Sequence, residues 1–168
     1  MFWKRKETSA PASPVPEAAP AVLTGPPLKF NSVEFRDGQQ SLFATRMTTE
    51  DMLPILPLMD EIGYDSMEMW GGATFDVAVR FLKEDPWERV RAFKRHMKRT
   101  PLKMVLRGQN LVGYKAYPDD IVEKFVEKAA EAGIDIFLIF DALQDLRNCE
   151  SAFRAVKKAG KKIEGSIQ

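Results

Sequence analysis

The chain has 168 residues, of which 45% are hydrophobic and 29% are charged, which is ordinary for a globular protein. Lys and Arg number 25 against 24 Asp and Glu, and the formal charge of +1 gives no electrostatic reason to expect nucleic acid or an anionic membrane as a partner. A single cysteine, Cys149, excludes an internal disulfide and is typical of a reducing compartment. The sequence has no apolar run of about 20 residues and no signal-peptide core, so it predicts a cytoplasmic protein.

Residues 1–27 differ in composition from the rest of the chain. The stretch "TSAPASPVPEAAPAVLTGPP" is rich in Ala and Pro and offers little apolar bulk to bury. We therefore expect a disordered tail or linker over residues 1–27, followed by a folded domain over residues 28–168.

From residue 28 onward, strand and helix patterns alternate. "LKFNSVEF" is a strand candidate, and "TTEDMLPILPLMDEIGY" predicts a helix that Thr48 or Thr49 caps and that Gly63 ends. Pro54 and Pro57 each remove a backbone donor inside this helix, which predicts a bend or a late start. The segment "SMEMW" is the second strand candidate.

The second half of the chain continues the alternation. "DPWERVRAFKRHMKR" predicts a helix with Asp85 as its cap and Pro86 at its first position. "LKMVL" is a third strand, and "DDIVEKFVEKAAEAG" has an apolar stripe that stops at Gly133. "IDIFLIF" is nearly continuous in apolar residues, as parallel strands buried on both faces are. A fourth helix, "LRNCESAFRAVKKAG", and a fifth strand, "KKIEGSIQ", complete the pattern.

This alternation predicts βαβ units and a parallel sheet, either as a doubly wound open sheet or as a (β/α)8 TIM barrel. No glycine-rich phosphate fingerprint follows the first strand, which weakens the dinucleotide-binding version of the open sheet. The regular repeat favours the barrel. A complete barrel takes about 250 residues, so we expect the front half of one, with about five parallel strands and four helices.

Polar or glycine-rich segments follow each of the first four strands. They are "RDGQQS", "WGGATFD", "RGQN" and "DALQD". Both parallel architectures gather catalytic groups at the carboxyl ends of their strands. Each segment alone also fits a simple turn, and Asp-Gly in particular is a common turn dipeptide. Together they predict a site at that edge of the sheet.

Three longer stretches resemble a known family. They are "RDGQQSLFATRMTTEDMLPI", "GYDSMEMWGGATFDVAVRFLKEDPWERVR" and "LRGQNLVGYKAYPDDIVEKFVEKAAEAGIDIFLIFDAL". They resemble the carboxyltransferase domain of biotin-dependent enzymes, a group that includes pyruvate carboxylase, the oxaloacetate decarboxylase α chain and the central subunit of transcarboxylase. The resemblance covers the N-terminal half of that domain. It implies carboxyl transfer between carboxybiotin and pyruvate or oxaloacetate, through an enolate stabilised by a divalent metal.

The resemblance also implies roles for five residues. Asp37 matches the family's metal ligand, for Zn, Mn or Co. Gln40 matches a glutamine that hydrogen-bonds the substrate, and Arg36 matches an arginine near the substrate carbonyl and the metal. Arg107 matches the arginine that clamps the pyruvate carboxylate, and Tyr114 matches a tyrosine that lines the biotin pocket.

Further residues at the strand ends are expected to support the site. Gly71 and Gly72 are expected to let the backbone approach the ligands closely. Trp70, Glu68 and Asp141 fall at site-facing strand ends, and we expect supporting roles for them.

The resemblance implies partners as well: a biotinyl domain on a separate domain or subunit, biotin carboxylase or decarboxylase subunits, and a homo-oligomer. The family's metal-binding lysine, His-x-His pair and proton-shuttling threonine have no counterparts here, and His96 is the only histidine. We therefore expect this chain to supply the first half of the site. Two alternatives remain: a truncated non-catalytic module that docks to a partner barrel, and a related metal-dependent lyase acting on acyl-CoA or keto acids.

Overall fold

The computed structural model describes residues 25–167, so most of the predicted tail, residues 1–24, lies outside the described residues. One parallel sheet of five strands forms the centre, in the order β1-β2-β3-β4-β5. The strands are β1 Asn31–Ser32, β2 Ser66–Trp70, β3 Leu102–Leu106, β4 Ile136–Ile139 and β5 Lys162–Gly165. The sequential strand order with parallel pairing confirms the predicted α/β class.

The connection after β1 contains three short helices. They are α1 Gln39–Leu42, α2 Thr49–Met52 and α3 Leu56–Ile62. Thr48 caps α2 through a capping box, in which Asp51 N–H donates to Thr48 Oγ1 at 3.2 Å and Thr48 N–H donates to Asp51 Oδ2 at 2.9 Å. A 3-10 turn at Leu53–Ile55 interrupts the helix between α2 and α3, where Pro54 removes a backbone donor. Gly63 ends α3 with φ 85°.

Four further helices connect the later strands of the described residues. α4 Gly72–Val77 and α5 Pro86–His96 follow β2, α6 Asp119–Ala132 follows β3, and α7 Glu150–Lys158 follows β4. Asp85 accepts the Trp87 N–H at 2.8 Å and caps α5 as predicted. None of the helices in residues 25–167 is long and apolar enough to cross a membrane.

Two segments differ from the sequence prediction. β1 pairs only at Asn31–Ser32, and a π-helical turn at Glu34–Gly38 takes up the last two residues of the predicted strand. Helix α4 forms within the "WGGATFD" segment, which was predicted only as a polar strand end, and a second π-helical turn, Ala78–Leu82, follows it. Short helical turns of this kind carry little apolar periodicity, so no pattern pointed to them.

The core lies between the sheet and the helices. The outer face of the sheet contributes fully buried side chains, among them Met67, Trp70, Leu102, Met104 and Phe137. Trp70 packs against three aromatic rings from the helical layer, Phe75, Trp87 and Phe125, at centroid distances of 5.5, 5.1 and 5.9 Å. The opposite, inner face carries charged residues as well as apolar ones. Glu68, Lys103 and Glu164 lie on it, and the Lys103 ammonium binds Glu164 at 2.6 Å.

Candidate active site

A cleft of about 350 Å³ opens at the carboxyl edge of the sheet. It is lined by Arg36, Gln40, Gly71, Gly72, Ala73, Val105, Arg107, Tyr114 and Phe140. Four of the five side chains predicted for the site therefore line one cavity, although they come from separate segments that follow β1 and β3. The fifth, Asp37, is exposed beside it and touches Arg36.

The π-helical turn Glu34–Gly38 places the first group of site residues. The Val33 carbonyl accepts the backbone N–H groups of Arg36, Asp37 and Gly38 at 3.2, 2.8 and 3.1 Å. Three donors on one carbonyl wind the chain tightly just after β1. The backbone of Arg36 and Asp37 is therefore held at the strand end without the help of their side chains, which make separate contacts.

The Arg36 guanidinium makes two carboxylate contacts. Its Nε and Nη2 each lie 2.5 Å from Glu68 Oε1, and its Nη1 lies 3.1 Å from Asp37 Oδ1. The Glu68 side chain is only 6% exposed, whereas that of Asp37 is 55% exposed. Arg36 is thus anchored on a buried carboxylate and reaches toward an exposed one at the cleft mouth.

Arg107 follows β3 and lies on the other side of the cleft. Its backbone N–H donates to the Leu111 carbonyl at 3.0 Å, and its Nη2 donates to the Val112 carbonyl at 3.1 Å. The guanidinium carbon lies 5.2 Å from the centre of the Tyr114 ring. The loop after β3 therefore folds back on Arg107 and fixes it against an exposed tyrosine.

Gly72 provides the space for Arg107. A Cβ atom at residue 72 would lie 1.9 Å from Arg107 Nη2 and 2.8 Å from its Cζ. Gly71 is less crowded, since the nearest atom to its Cβ would be the Val105 carbonyl oxygen at 3.4 Å. The group that approaches Gly72 is the Arg107 side chain, and a close approach of this backbone to a ligand stays a prediction.

Trp70 and Asp141, predicted to face the site in support, do not line the cleft. Trp70 lies in the outer aromatic cluster. Asp141 accepts the backbone N–H groups of Leu143 and Asp145 at 3.0 and 3.1 Å and stabilises the turn after β4. The expectation of a site-facing position was therefore wrong for Trp70, whereas a supporting role for Asp141 stays a prediction.

One polar residue near the site was missed from the sequence. The Gln39 side chain, next to the predicted Gln40, is buried and donates its Nε2 to the Phe35 carbonyl at 2.6 Å. It ties α1 back to the π-helical turn. Two adjacent glutamines carry no signal that separates a buried one from an exposed one.

The described residues do not by themselves fit a metal ion. Residues 25–167 contain no group of three or more His, Cys, Asp and Glu side chains that could hold one. Asp37 offers a single carboxylate, and the charged group that contacts it is the Arg36 guanidinium rather than a second ligand. Asp37 as a metal ligand remains a prediction, and it would require ligands from outside these residues.

Comparisons with known proteins identify the fold and its relatives. A scan against protein-family models finds no match. A pyruvate carboxylase subunit of Methanocaldococcus jannaschii is 64% identical over 140 residues, which is 83% of this chain and 25% of that protein. The methylmalonyl-CoA carboxyltransferase 5S subunit of Propionibacterium freudenreichii subsp. shermanii is 54% identical over 132 residues, 79% of this chain and 26% of that protein.

A solved structure agrees with these sequence relatives. The carboxyl transferase domain of Rhizobium etli pyruvate carboxylase, with pyruvate and biocytin, aligns with a TM-score of 0.80 at 42% identity, covering 83% of this chain and 24% of that one. The chain belongs to the carboxyltransferase-domain family. The five parallel strands of this family member are consistent with the predicted front half of a TIM barrel. The chain spans about a quarter of the length of the curated relatives that it matches.

Proposed function

We propose that the chain takes part in biotin-dependent carboxyl transfer to pyruvate, or from oxaloacetate in reverse, and that it supplies one side of the substrate site. The observation that carries this proposal is the single cleft that Arg36, Gln40, Arg107 and Tyr114 share. The relatives support the same reaction class, since they are a pyruvate carboxylase subunit and a carboxyltransferase subunit. They give no support to the alternative of an acyl-CoA lyase.

In this proposal Arg107 binds the carboxylate of the keto acid. A guanidinium is planar, stays charged at any working pH and presents paired N–H donors that suit a carboxylate. The contact with the Val112 carbonyl at 3.1 Å uses one Nη2 donor and leaves others to face the cleft. The tyrosine ring beside the guanidinium would shield this ion pair from water and strengthen it.

Arg36 and Gln40 would act on the keto oxygen. Loss of a proton from the methyl group of pyruvate would place negative charge on the keto oxygen of the resulting enolate. The enolate carbon would then take the carboxyl group that carboxybiotin supplies, and the freed biotin nitrogen would take up the proton. Arg36 N–H groups not bound to Glu68 or Asp37, together with the exposed Gln40 amide, would donate hydrogen bonds to this oxygen. Donors fixed in advance stabilise developing charge more than mobile ones do.

Tyr114 would form the side of the cleft that carboxybiotin enters. Its ring is 74% exposed and lines both the main cleft and a neighbouring one of about 510 Å³. Biotin would come from a separate domain or subunit, and the Methanocaldococcus relative, itself named as one subunit of a pyruvate carboxylase, is consistent with separate partner subunits. We also propose that the assembled enzyme is a homo-oligomer.

The test is Arg107→Ala in the complete enzyme with its biotin-bearing partner, measured as carboxylation of pyruvate. We expect a loss of at least about 10²-fold in kcat/KM, because a charged hydrogen-bonding partner of the substrate is removed. Arg91→Ala is the matched control, since Arg91 is an exposed arginine on α5 paired with Glu88 at 2.8 Å. Unchanged turnover of Arg107→Ala would refute the assignment, and an inactive wild-type enzyme would favour the non-catalytic docking module.

A further inference from the structure

Glu68 is a buried acid that the proposed reaction does not use. It lies in the middle of β2, its side chain is 6% exposed, and it faces the inner side of the sheet. A buried carboxylate is costly unless a positive group or hydrogen bonds compensate it. Arg36 is that group, because its Nε and Nη2 both lie 2.5 Å from Glu68 Oε1.

An irregularity in β2 directly follows Glu68 and separates its facing from that of Trp70. Pairing with β3 passes from Glu68–Lys103 directly to Trp70–Met104, so Met69 is an extra residue, a β-bulge. With regular alternation Trp70 would point to the same face as Glu68. The bulge instead turns Trp70 into the outer aromatic cluster. Gly71 then lies beside Val105, and a Cβ atom added to Gly71 would be 3.8 Å from Arg36 Cδ.

We infer that Glu68 is a positioning residue that fixes the orientation of Arg36 in the carboxyltransferase site, an inference that rests on the proposed function. An arginine on a short turn has many rotamers, and the backbone of the π-helical turn holds only its Cα. The contact between Nε, Nη2 and one carboxylate oxygen restrains the plane of the guanidinium. The Nη1 side is then directed toward Asp37 and the cleft mouth.

The same sheet face offers a matched control. Lys103 and Glu164 form a second ion pair there, in which the lysine side chain is 4% exposed and the Nζ to Oε2 distance is 2.6 Å. Neither residue lines the cleft at the carboxyl edge. Neutralising Glu164 therefore changes the charge of the inner face without touching Arg36.

The experiment compares Glu68→Gln with Glu164→Gln in the complete enzyme, by kcat and KM for pyruvate and by thermal unfolding. We expect Glu68→Gln to lower kcat by about 10-fold to 10²-fold with KM changed less than about 3-fold, because Arg36 acts on charge that develops in the transition state. Glu164→Gln should leave kcat within about 2-fold of wild type. Glu68→Asp keeps the charge but shortens the side chain, and we expect an intermediate kcat.

A double variant separates positioning from a general structural effect. If Glu68 acts through Arg36, Arg36→Ala combined with Glu68→Gln should be no slower than Arg36→Ala alone, within about 2-fold. Multiplied losses in the double variant, equal losses in Glu68→Gln and Glu164→Gln, or a wild-type kcat in a folded Glu68→Gln protein would each overturn the inference. Failure of both Glu68 variants to fold would overturn it too, by making Glu68 a stability residue. An inactive wild-type enzyme would instead refute the proposed function.

Discussion

At the amino edge of the sheet, the Asp60 carboxylate accepts the backbone N–H groups of Lys98, Arg99 and Thr100 at 2.8, 3.1 and 2.7 Å. At the carboxyl edge, the Arg107 guanidinium donates to one backbone carbonyl, that of Val112, and faces an open cleft. The charge of Asp60 is fully hydrogen-bonded within the protein, whereas Arg107 has N–H donors that remain available. Charge at the amino edge therefore serves stability, whereas charge at the carboxyl edge is available to a ligand.

Asp135 repeats the pattern at the amino edge. It precedes β4, accepts the Leu102 N–H at 3.1 Å, and binds the ammonium groups of Lys94 and Lys161 at 2.5 and 3.2 Å. Burial alone would raise the pKa of Asp135, but the bonds from Lys94, Leu102 and Lys161 hold that pKa below its usual value. The carboxylates of Asp60 and Asp135 thus connect the segments that precede β3 and β4 to neighbouring elements.

The largest expected effect is a loss of stability at the carboxyl edge, on the outer face of the sheet. It tests whether residues at that edge are available to a ligand only when they lie on the inner face. Trp70 lies at the carboxyl end of β2 but faces outward into the aromatic cluster. Trp70→Ala should lower the free energy of unfolding by about 3–5 kcal/mol, the usual cost of removing a fully buried aromatic side chain. Chemical denaturation measures it, with the exposed Phe43→Ala as the control, for which we expect a change of about 0.5 kcal/mol or less. A similar cost in both variants would contradict a structural role for Trp70.

The next test sharpens the claim that the carboxyl edge is built for binding. In Gly72→Ala the new methyl group would overlap Arg107 Nη2, which is the mobile end of a long side chain and can move aside. We therefore expect little change in stability but a loss of about 10²-fold in kcat/KM, the scale expected when a positioning group shifts by about 1 Å. Gly165→Ala is the matched control, since no atom lies within 4 Å of its added Cβ. Normal activity in Gly72→Ala would mean that the position of Arg107 is unimportant.

The smallest effect is expected at the amino edge. Asp60→Asn should lower the free energy of unfolding by about 1–3 kcal/mol at about pH 7, because backbone donors lose a charged acceptor. Gly72→Ala should change activity with little change in stability, whereas Asp60→Asn should lower stability and leave the KM unchanged. Denaturant unfolding of the purified protein measures it, with the exposed neighbour Glu61→Gln as the control.

The same variant has a defined pH dependence. Burial alone would raise the pKa of Asp60, but the N–H groups of Thr100, Lys98 and Arg99 outweigh burial and lower that pKa. A lowered folded-state pKa stabilises the protein above the unfolded-state pKa of about 3.9, and this stabilisation is lost as the pH falls through the folded-state value. The difference between wild type and Asp60→Asn should therefore be constant above about pH 5 and shrink below about pH 4. A stability difference between wild type and Asp60→Asn that grows as the pH falls would contradict a lowered pKa for Asp60.

The sequence predicted most of what depends on local signals. Gly63 ends α3 and Asp85 caps α5 as the helix signals predicted, and the helix is interrupted by a 3-10 turn at Pro54. Arg36, Gln40, Arg107 and Tyr114 meet in one cleft because parallel strands bring their carboxyl ends to one edge. Such features need only neighbours in sequence or a general property of the fold.

What the sequence did not predict depends on contacts between distant segments. Glu68 and Arg36 are 32 residues apart, and nothing in either segment marks them as partners. Trp70 was expected at a site-facing strand end, but the bulge at Met69, which has no sequence signature, turns it to the outer face. The predicted length of β1 was wrong for a related reason. The composition of the segment is typical of a strand, but its backbone forms a turn around the Val33 carbonyl.

The bulge at Met69 has a consequence for how β2 can vary in length. Loss of Met69 would restore the regular pleat and leave Trp70, then directly after Glu68, on the outer face beside Met104, because adjacent strand residues point to opposite faces. Loss of Met69 together with one neighbouring residue would instead exchange the two faces beyond the deletion and pull the glycine pair away from Arg107. The facing of β2 therefore survives the loss of its one extra residue but not the loss of two.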